Sequence, residues 1–255
     1  MMKSSAAKWA VVVGVLACVM GSLSVAAPRA RAGACATLRH YSVGFAAAAD
    51  SALPADGGVL FVPTLANGRG EGNVFAPHGA APLESLRRGS RALRSTREEL
   101  APGWVLLRPA TPHRGRLTAH AGSAQRAFSM AREDGPSLAA PASPSLRYYP
   151  SQTVQTRRGR STASAYNSLS LAQPPPAGAY AVIVRHAAAA GQAPRGDGFG
   201  VAIESPEQRT FTFSGDGGRC QPRAPGEVVS AGSDVTVFFV SANGQRSPDA
   251  NVRVR

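Results

Sequence analysis

Beyond its first 32 residues the chain has no lysine. Lys3 and Lys8 are the only two, so 26 of the 28 cationic residues are arginine. Ser-x-x-Lys chemistry is thereby excluded from any form that has lost the N-terminal segment. A G-x-S-x-G nucleophile elbow, an H-E-x-x-H or H-x-x-x-H metal pair, a phosphate loop and a dinucleotide fingerprint are also missing. Long helical stretches are disfavoured, because glycine (27) and proline (20) make up roughly 18% of the residues against an average near 12%. Cysteine is scarce, with Cys18, Cys35 and Cys220 the only three. A hydrophobic content of 44% nevertheless suffices for a buried core, so wholesale disorder is not expected.

The N-terminus reads as an export signal. Lys3 and Lys8 form a positive region with no acid nearby, Trp9 to Ala27 is apolar apart from small residues, and Pro28 to Ala32 ends in an A-x-A pattern. Cleavage before Gly33 is expected, with no membrane span remaining afterwards and the product secreted or periplasmic. The alternative is a lipid anchor at Cys18, which follows Val15-Leu16-Ala17. Cleavage removes Lys3, Lys8, Arg29 and Arg31, which takes the net charge from +13 to +9 and leaves 24 arginines against 15 acidic residues. It also leaves an even pair of cysteines. In an oxidising compartment Cys35 and Cys220 can bond, closing a loop of about 185 residues worth at most roughly 5 kcal/mol in the chain-entropy model. Free or intermolecularly paired thiols stand as the alternative.

The remainder reads as all-β. Val59-Leu60-Phe61-Val62 and Trp104-Val105-Leu106-Leu107 are short apolar runs bounded by turn formers, which suits buried strands. Weaker strands are expected over 116–121 and 127–131. Further on, Ser168 to Leu171 and Thr210 to Phe213 alternate, while 180–184, 199–203 and 235–240 are apolar almost throughout, and Val252 to Arg255 closes the chain. Asp134 to Ser145 is rich in proline, serine and alanine and reads as a linker. The expected organisation is a signal over 1–32, a first domain over 33–133, a linker over 134–145 and a second domain over 146–255.

The segment DVTVFFVSANGQRSPDANVRVR (234–255) resembles the last hairpin of a fibronectin-III-like or immunoglobulin-like domain of a bacterial exported protein. LAPGWVLLRPATP (100–112) and LPADGGVLFVPT (53–64) are similar to proline- and glycine-bounded strands of such domains. The resemblance implies two consecutive β-sandwich domains and says nothing of chemistry. There is no Cys…Trp…Cys arrangement around Trp104. One stretch resists the scheme: Pro82 to Leu100 spaces Leu86, Leu93 and Leu100 by seven, which suits a short helix, while Gly89 and Glu98-Glu99 oppose one and favour an irregular exposed segment.

Candidate sites are few. His40, His78, His113, His120 and His186 have no ligand spacing, and Asp197 and Asp216 lie in turn-like sequences without the rest of a calcium loop. Neither Cys35 nor Cys220 has a histidine at a nucleophile-family spacing. Glu84, Asp197, Glu204 and Glu227 are available to a two-carboxylate mechanism, as acids are in any protein. No cofactor, no metal and no enzymatic activity are expected. Arginine is concentrated, with Arg87, Arg88, Arg91, Arg94 and Arg97 within eleven residues and Arg157, Arg158 and Arg160 within four. Guanidinium forks suit phosphate, sulfate and carboxylate, so Arg87, Arg88, Arg91 and Arg94 form a candidate anion site. A solvated surface in an arginine-coded protein is the plainer alternative. No aromatic residue interleaves the clusters, so nucleic acid is not an expected partner. The expected role is an exported structural or binding protein of the cell envelope, held to an anionic envelope polymer or another envelope protein. An extracytoplasmic hydrolase with an unrecognised site is the alternative.

Overall fold

The structure is a computed structural model that describes residues 39–67, 84–111, 114–122, 124–156, 159–187, 198–214 and 226–255. The chain divides into two compact units, 1–36 and 37–255, and every described element belongs to the second. The described residues form strands and no helix, hence no helix long and apolar enough to cross a membrane.

Before residue 131 the strands are β1 (Arg39–Phe45), β2 (Ala52–Leu53), β3 (Val59–Asn67), β4 (Glu84–Arg88), β5 (Arg91–Ala92), β6 (Ser95–Ala101), β7 (Trp104–Pro109), β8 (Gly115–Ala121) and β9 (Ala124–Met130). They make two sheets, β1-β3-β7-β6 and β2-β9-β8-β4-β5. After residue 144 come β10 (Ser145–Tyr149), β11 (Gln152–Thr156), β12 (Gly159–Ala163), β13 (Tyr166–Ser170), β14 (Ala179–His186), β15 (Gly198–Ala202), β16 (Thr210–Ser214), β17 (Asp234–Ser241) and β18 (Ala250–Arg253). These make the sheets β10-β13-β16 and β15-β14-β17-β18, with β11-β12 as a separate hairpin. No sheet mixes strands from the two halves. Pairing is antiparallel, except that β2 runs parallel to β9. At the corresponding edge of the later pair, Arg255 N–H donates to Leu146 C=O and Tyr148 N–H to Arg255 C=O.

Two kinds of strand sequence account for the layering. Outer sheets have alternating strands: Leu117, Ala119 and Ala121 of β8 point inward between Thr118 and His120, and Phe211 and Phe213 of β16 between Thr210 and Thr212. Inner sheets have the continuous apolar runs. Val59 and Phe61 of β3 and Val105 and Leu107 of β7 pack against the outer sheet of their own half, with Leu86, Leu117 and Phe128. Val182 and Val184 of β14 and Val235, Val237 and Phe239 of β17 do the same in the later half, with Leu169, Phe211 and Phe213. The residues between them turn the other way and meet each other. Leu60, Val62, Leu100, Ala101, Trp104 and Leu106 form one cluster with Ala181, Ile183, Phe238 and Val240. The result is four stacked sheets with three cores, the middle one shared by both halves.

Glycines set the closeness of this seam. A Cβ on Gly200 would lie 2.5 Å from the Trp104 ring. At Gly244, where φ is +77°, a side chain would collide with Leu106 and approach Gly58 to 3.1 Å. The Asn243-Gly244 turn is therefore pressed onto the earlier half, where Gly58 N–H donates to Asn243 C=O at 2.9 Å.

Pro82 to Leu100, open between helix and irregular segment, is extended from Glu84 onward. Leu86 of β4 enters the first core, Leu93 between β5 and β6 packs against it, and Leu100 of β6 enters the seam, so the seven-residue spacing serves two strands and the link between them rather than one helical face. The expected linker has no regular structure over 134–144, with Ser145 already in β10, but it is anchored. Leu138 is buried in the last core, and Gly135 N–H donates to Asp56 Oδ1 at 2.9 Å. A buried amide does similar work over the later core: Asn167 Nδ2 donates to Val229 C=O at 2.8 Å and its Oδ1 accepts from Val229 N–H at 2.7 Å.

Phe238 sits fully buried in the seam. Phe238→Ala is expected to cost about 3–5 kcal/mol in denaturant unfolding, the usual penalty for a large cavity in a close-packed core.

Candidate functional site

The arginines of 87–97 are split by the fold. β4 and β5 form a hairpin whose two loop residues are Gly89 and Ser90. Gly89 has φ +57° and Ser90 does not have positive φ, the pattern of a II′ turn with glycine first. Its register sets Arg88 directly opposite Arg91 and Arg87 opposite Ala92. Directly opposed residues have Cβ atoms about 5 Å apart, and like charges there are destabilising. Arg94 follows on the way into β6, its C=O accepting from Ala110 N–H at 2.8 Å. Arg114 precedes β8, which pairs with β4. All five side chains are exposed, and none makes an ion pair or hydrogen bond with a described residue. Arg97, in contrast, is held by Glu99 at 3.3 Å and Glu84 at 3.7 Å.

A second charged group sits on the seam. Glu98 of β6 lies 3.2 Å from Arg108, 3.1 Å from Arg246 and 3.9 Å from Arg185. Arg246 also pairs with Asp249 and stacks over the Phe238 ring at 3.8 Å, with Arg185 at 5.1 Å from the same ring. Burial, reinforced by the Arg246 charge, lowers the Arg185 guanidinium from its ordinary value, while Asp249 and Glu98 oppose that shift. Arg108 further donates to Gly244 C=O at 2.9 Å, and Gln245 Nε2 donates to Asp56 at 3.2 Å. This cluster binds the two halves to each other and pairs its charges internally at the partly exposed margin of the seam, with Arg185 alone buried. Arg97 stands apart from its sequence neighbours, and no local pattern marks Glu98, whose partners lie up to 148 residues away.

The other candidates are dispersed. His120 lies on β8 and His186 at the end of β14, in different sheets. Glu204 and Glu227 are exposed, and Glu84 carries the Arg97 contact. Among the described residues no three of His, Cys, Asp and Glu come together as metal ligands. Cys18, Cys35, Cys220, His78, His113, Arg157, Arg158, Asp197 and Asp216 lie outside the described residues, as does the 1–32 segment. Arg160 is placed on β12, opposite Gln155.

The strand order defines the class of fold. Taken in chain order as A to G, β1, β3, β4, β6, β7, β8 and β9 form A-B-E-D against C-F-G, the immunoglobulin arrangement. In the later half β10, β13 and β16 form A-B-E, and the fourth strand, β15, has joined the other sheet beside β14, the fibronectin-III-like variant. No protein-family model matches the chain, and no curated protein matches it. Among solved structures the chain is similar to the FN1–FN3 domains of chicken CNTN1, at 9% identity and a TM-score of 0.23. That match covers 82% of this chain and 64% of the other.

Removal of the central carboxylate should expose the difference between the charged groups. Glu98→Gln takes from the buried Arg185 one of the two carboxylates that act on it and leaves Asp249 as the other, and a loss of about 1–3 kcal/mol is expected. Asp50→Asn breaks an exposed pair with Arg116 and should cost under about 0.5 kcal/mol. Urea unfolding of both variants checks the contrast.

Proposed function

We propose that the chain is an exported structural or binding protein of the bacterial cell envelope, made of two β-sandwich domains, 33–133 and 146–255, clamped face to face. The shared middle core carries the reading. A body whose two halves are locked by Trp104, Leu106, Ile183 and Phe238 holds its hairpins and loops in a fixed relation, and such preorganisation lowers the entropic cost of engaging a partner. The polar outer faces and exposed hairpins are where immunoglobulin-type sandwiches offer contact surface. The lysine-bearing, apolar N-terminus supplies the route out of the cytoplasm.

Expression of the whole chain in a Gram-negative host, followed by fractionation and N-terminal sequencing, tests this. The expected product starts at Gly33 and is found in the periplasm or medium. A lipid-modified product starting at Cys18 would support the anchored alternative, and an uncleaved cytosolic chain would contradict the reading.

A further inference from the structure

The β4-β5 hairpin sets like charges opposite each other, and no described residue compensates them. Arg88 and Arg91 are directly opposed, Arg87 precedes Arg88 on β4, Arg94 lies two residues beyond β5, and Arg114 immediately precedes β8, the strand that pairs with β4. Arg97, Arg108, Arg116 and Arg246 are paired with carboxylates, whereas these five, crowded into one hairpin and its flanks, have no carboxylate partner among the described residues. Local conflicts left uncompensated are where function is expected. We infer that this hairpin is a docking ridge for an anionic polymer, one presenting phosphate, sulfate or carboxylate groups at repeat distances comparable to those between adjacent strands. The inference rests on the envelope reading above and adds to it the site and the chemical class of the partner.

Charge complementarity selects the class. Guanidinium forks bind such oxyanions in bidentate fashion, and a bound anion between Arg88 and Arg91 would convert their repulsion into two attractive contacts. Geometry favours a strand-like polymer over a membrane. Opposed residues share a face and adjacent ones do not, so Arg88 and Arg91 lie on one face of the hairpin and Arg87 on the other. A flat bilayer would meet only part of this set. Stable attachment to a bilayer also asks for an apolar anchor beside the basic cluster. The large hydrophobic side chains most exposed among the described residues are Tyr149 and Val154, both in the other half. Nucleic acid is disfavoured because the ridge has no aromatic residue on which bases could stack.

The test measures binding of the mature chain to heparin and to polyglutamate across a salt series, with mixed phosphatidylglycerol–phosphatidylcholine vesicles and single-stranded DNA as competing arms. Two variants that each remove four charges are compared: R87Q/R88Q/R91Q/R94Q and R132Q/R147Q/R209Q/R253Q. Their thermal melts establish that both are folded, since all eight side chains are exposed. The hairpin variant is expected to bind the better of the two polymers at least tenfold more weakly. Its dependence of log K on log salt should fall by about 3, near the counterion release of four lost contacts. The second variant should stay within about twofold of the parent. Equal losses in both variants would overturn the inference by showing that only net charge matters. Tighter binding to vesicles or DNA than to either polymer would overturn it in favour of that surface. No polymer binding by the parent chain at low salt would overturn it outright, while leaving the export result to stand or fall by its own fractionation.

Discussion

The structure depends on two sheets that are apolar on both faces. A sheet in a free-standing sandwich covers one face and wets the other, which forces strands to alternate. The β3, β7, β14 and β17 runs do not alternate, and every residue from Val59 to Val62 and from Trp104 to Leu107 is buried. Either half alone would present Leu60, Trp104 and Leu106, or Ile183, Phe238 and Val240, to water. Packing these faces together removes both liabilities in one contact. The need for close approach then explains Gly200 under Trp104 and Gly244 against Leu106.

The same seam organises the charges. Glu98 draws Arg108, Arg185 and Arg246 to its margin, and Phe238 serves at once as core residue and as the ring beneath Arg246. Such a network is weak evidence for added stability, since burial costs the ions hydration, but it fixes how one half is set on the other. On β4-β5, by contrast, Arg87, Arg88 and Arg91 have no such partners among the described residues. The chain's positive charge is thus of two kinds, one spent on internal registration and one left facing outward. Net charge by itself conveys neither.

Much of the architecture was legible in the sequence. The runs at 59–62, 104–107, 180–184 and 235–240, the alternation of Thr210 to Phe213 and the Asn243-Gly244 turn all fall in the elements their chemistry predicts. Apolar runs announce burial on both faces, yet they do not say what covers each face, so the seam itself had no sequence signature. β4, β5 and β6 were obscured because Arg87 to Arg94 carries surface composition on strand backbone, and only the Gly89-Ser90 dipeptide hinted at a tight hairpin. The anchoring of 134–145 was hidden for a related reason. Its composition is that of a linker, and a single leucine, Leu138, ties it to the core. Glu98 was invisible as a hub because its partners converge only after folding.

Residues 37–255 are expected to unfold as one body, because the middle core is shared by both halves. Trp104 is the one tryptophan beyond the N-terminal segment, and it lies in that core. Its fluorescence therefore reports the seam, while far-UV ellipticity reports the strands of all four sheets. Urea unfolding of residues 33–255, followed by both signals, should give a single transition with coincident midpoints. A shift of Trp104 emission at lower urea than the loss of ellipticity, or two steps in the ellipticity, would show that the halves separate before they unfold and would contradict the account.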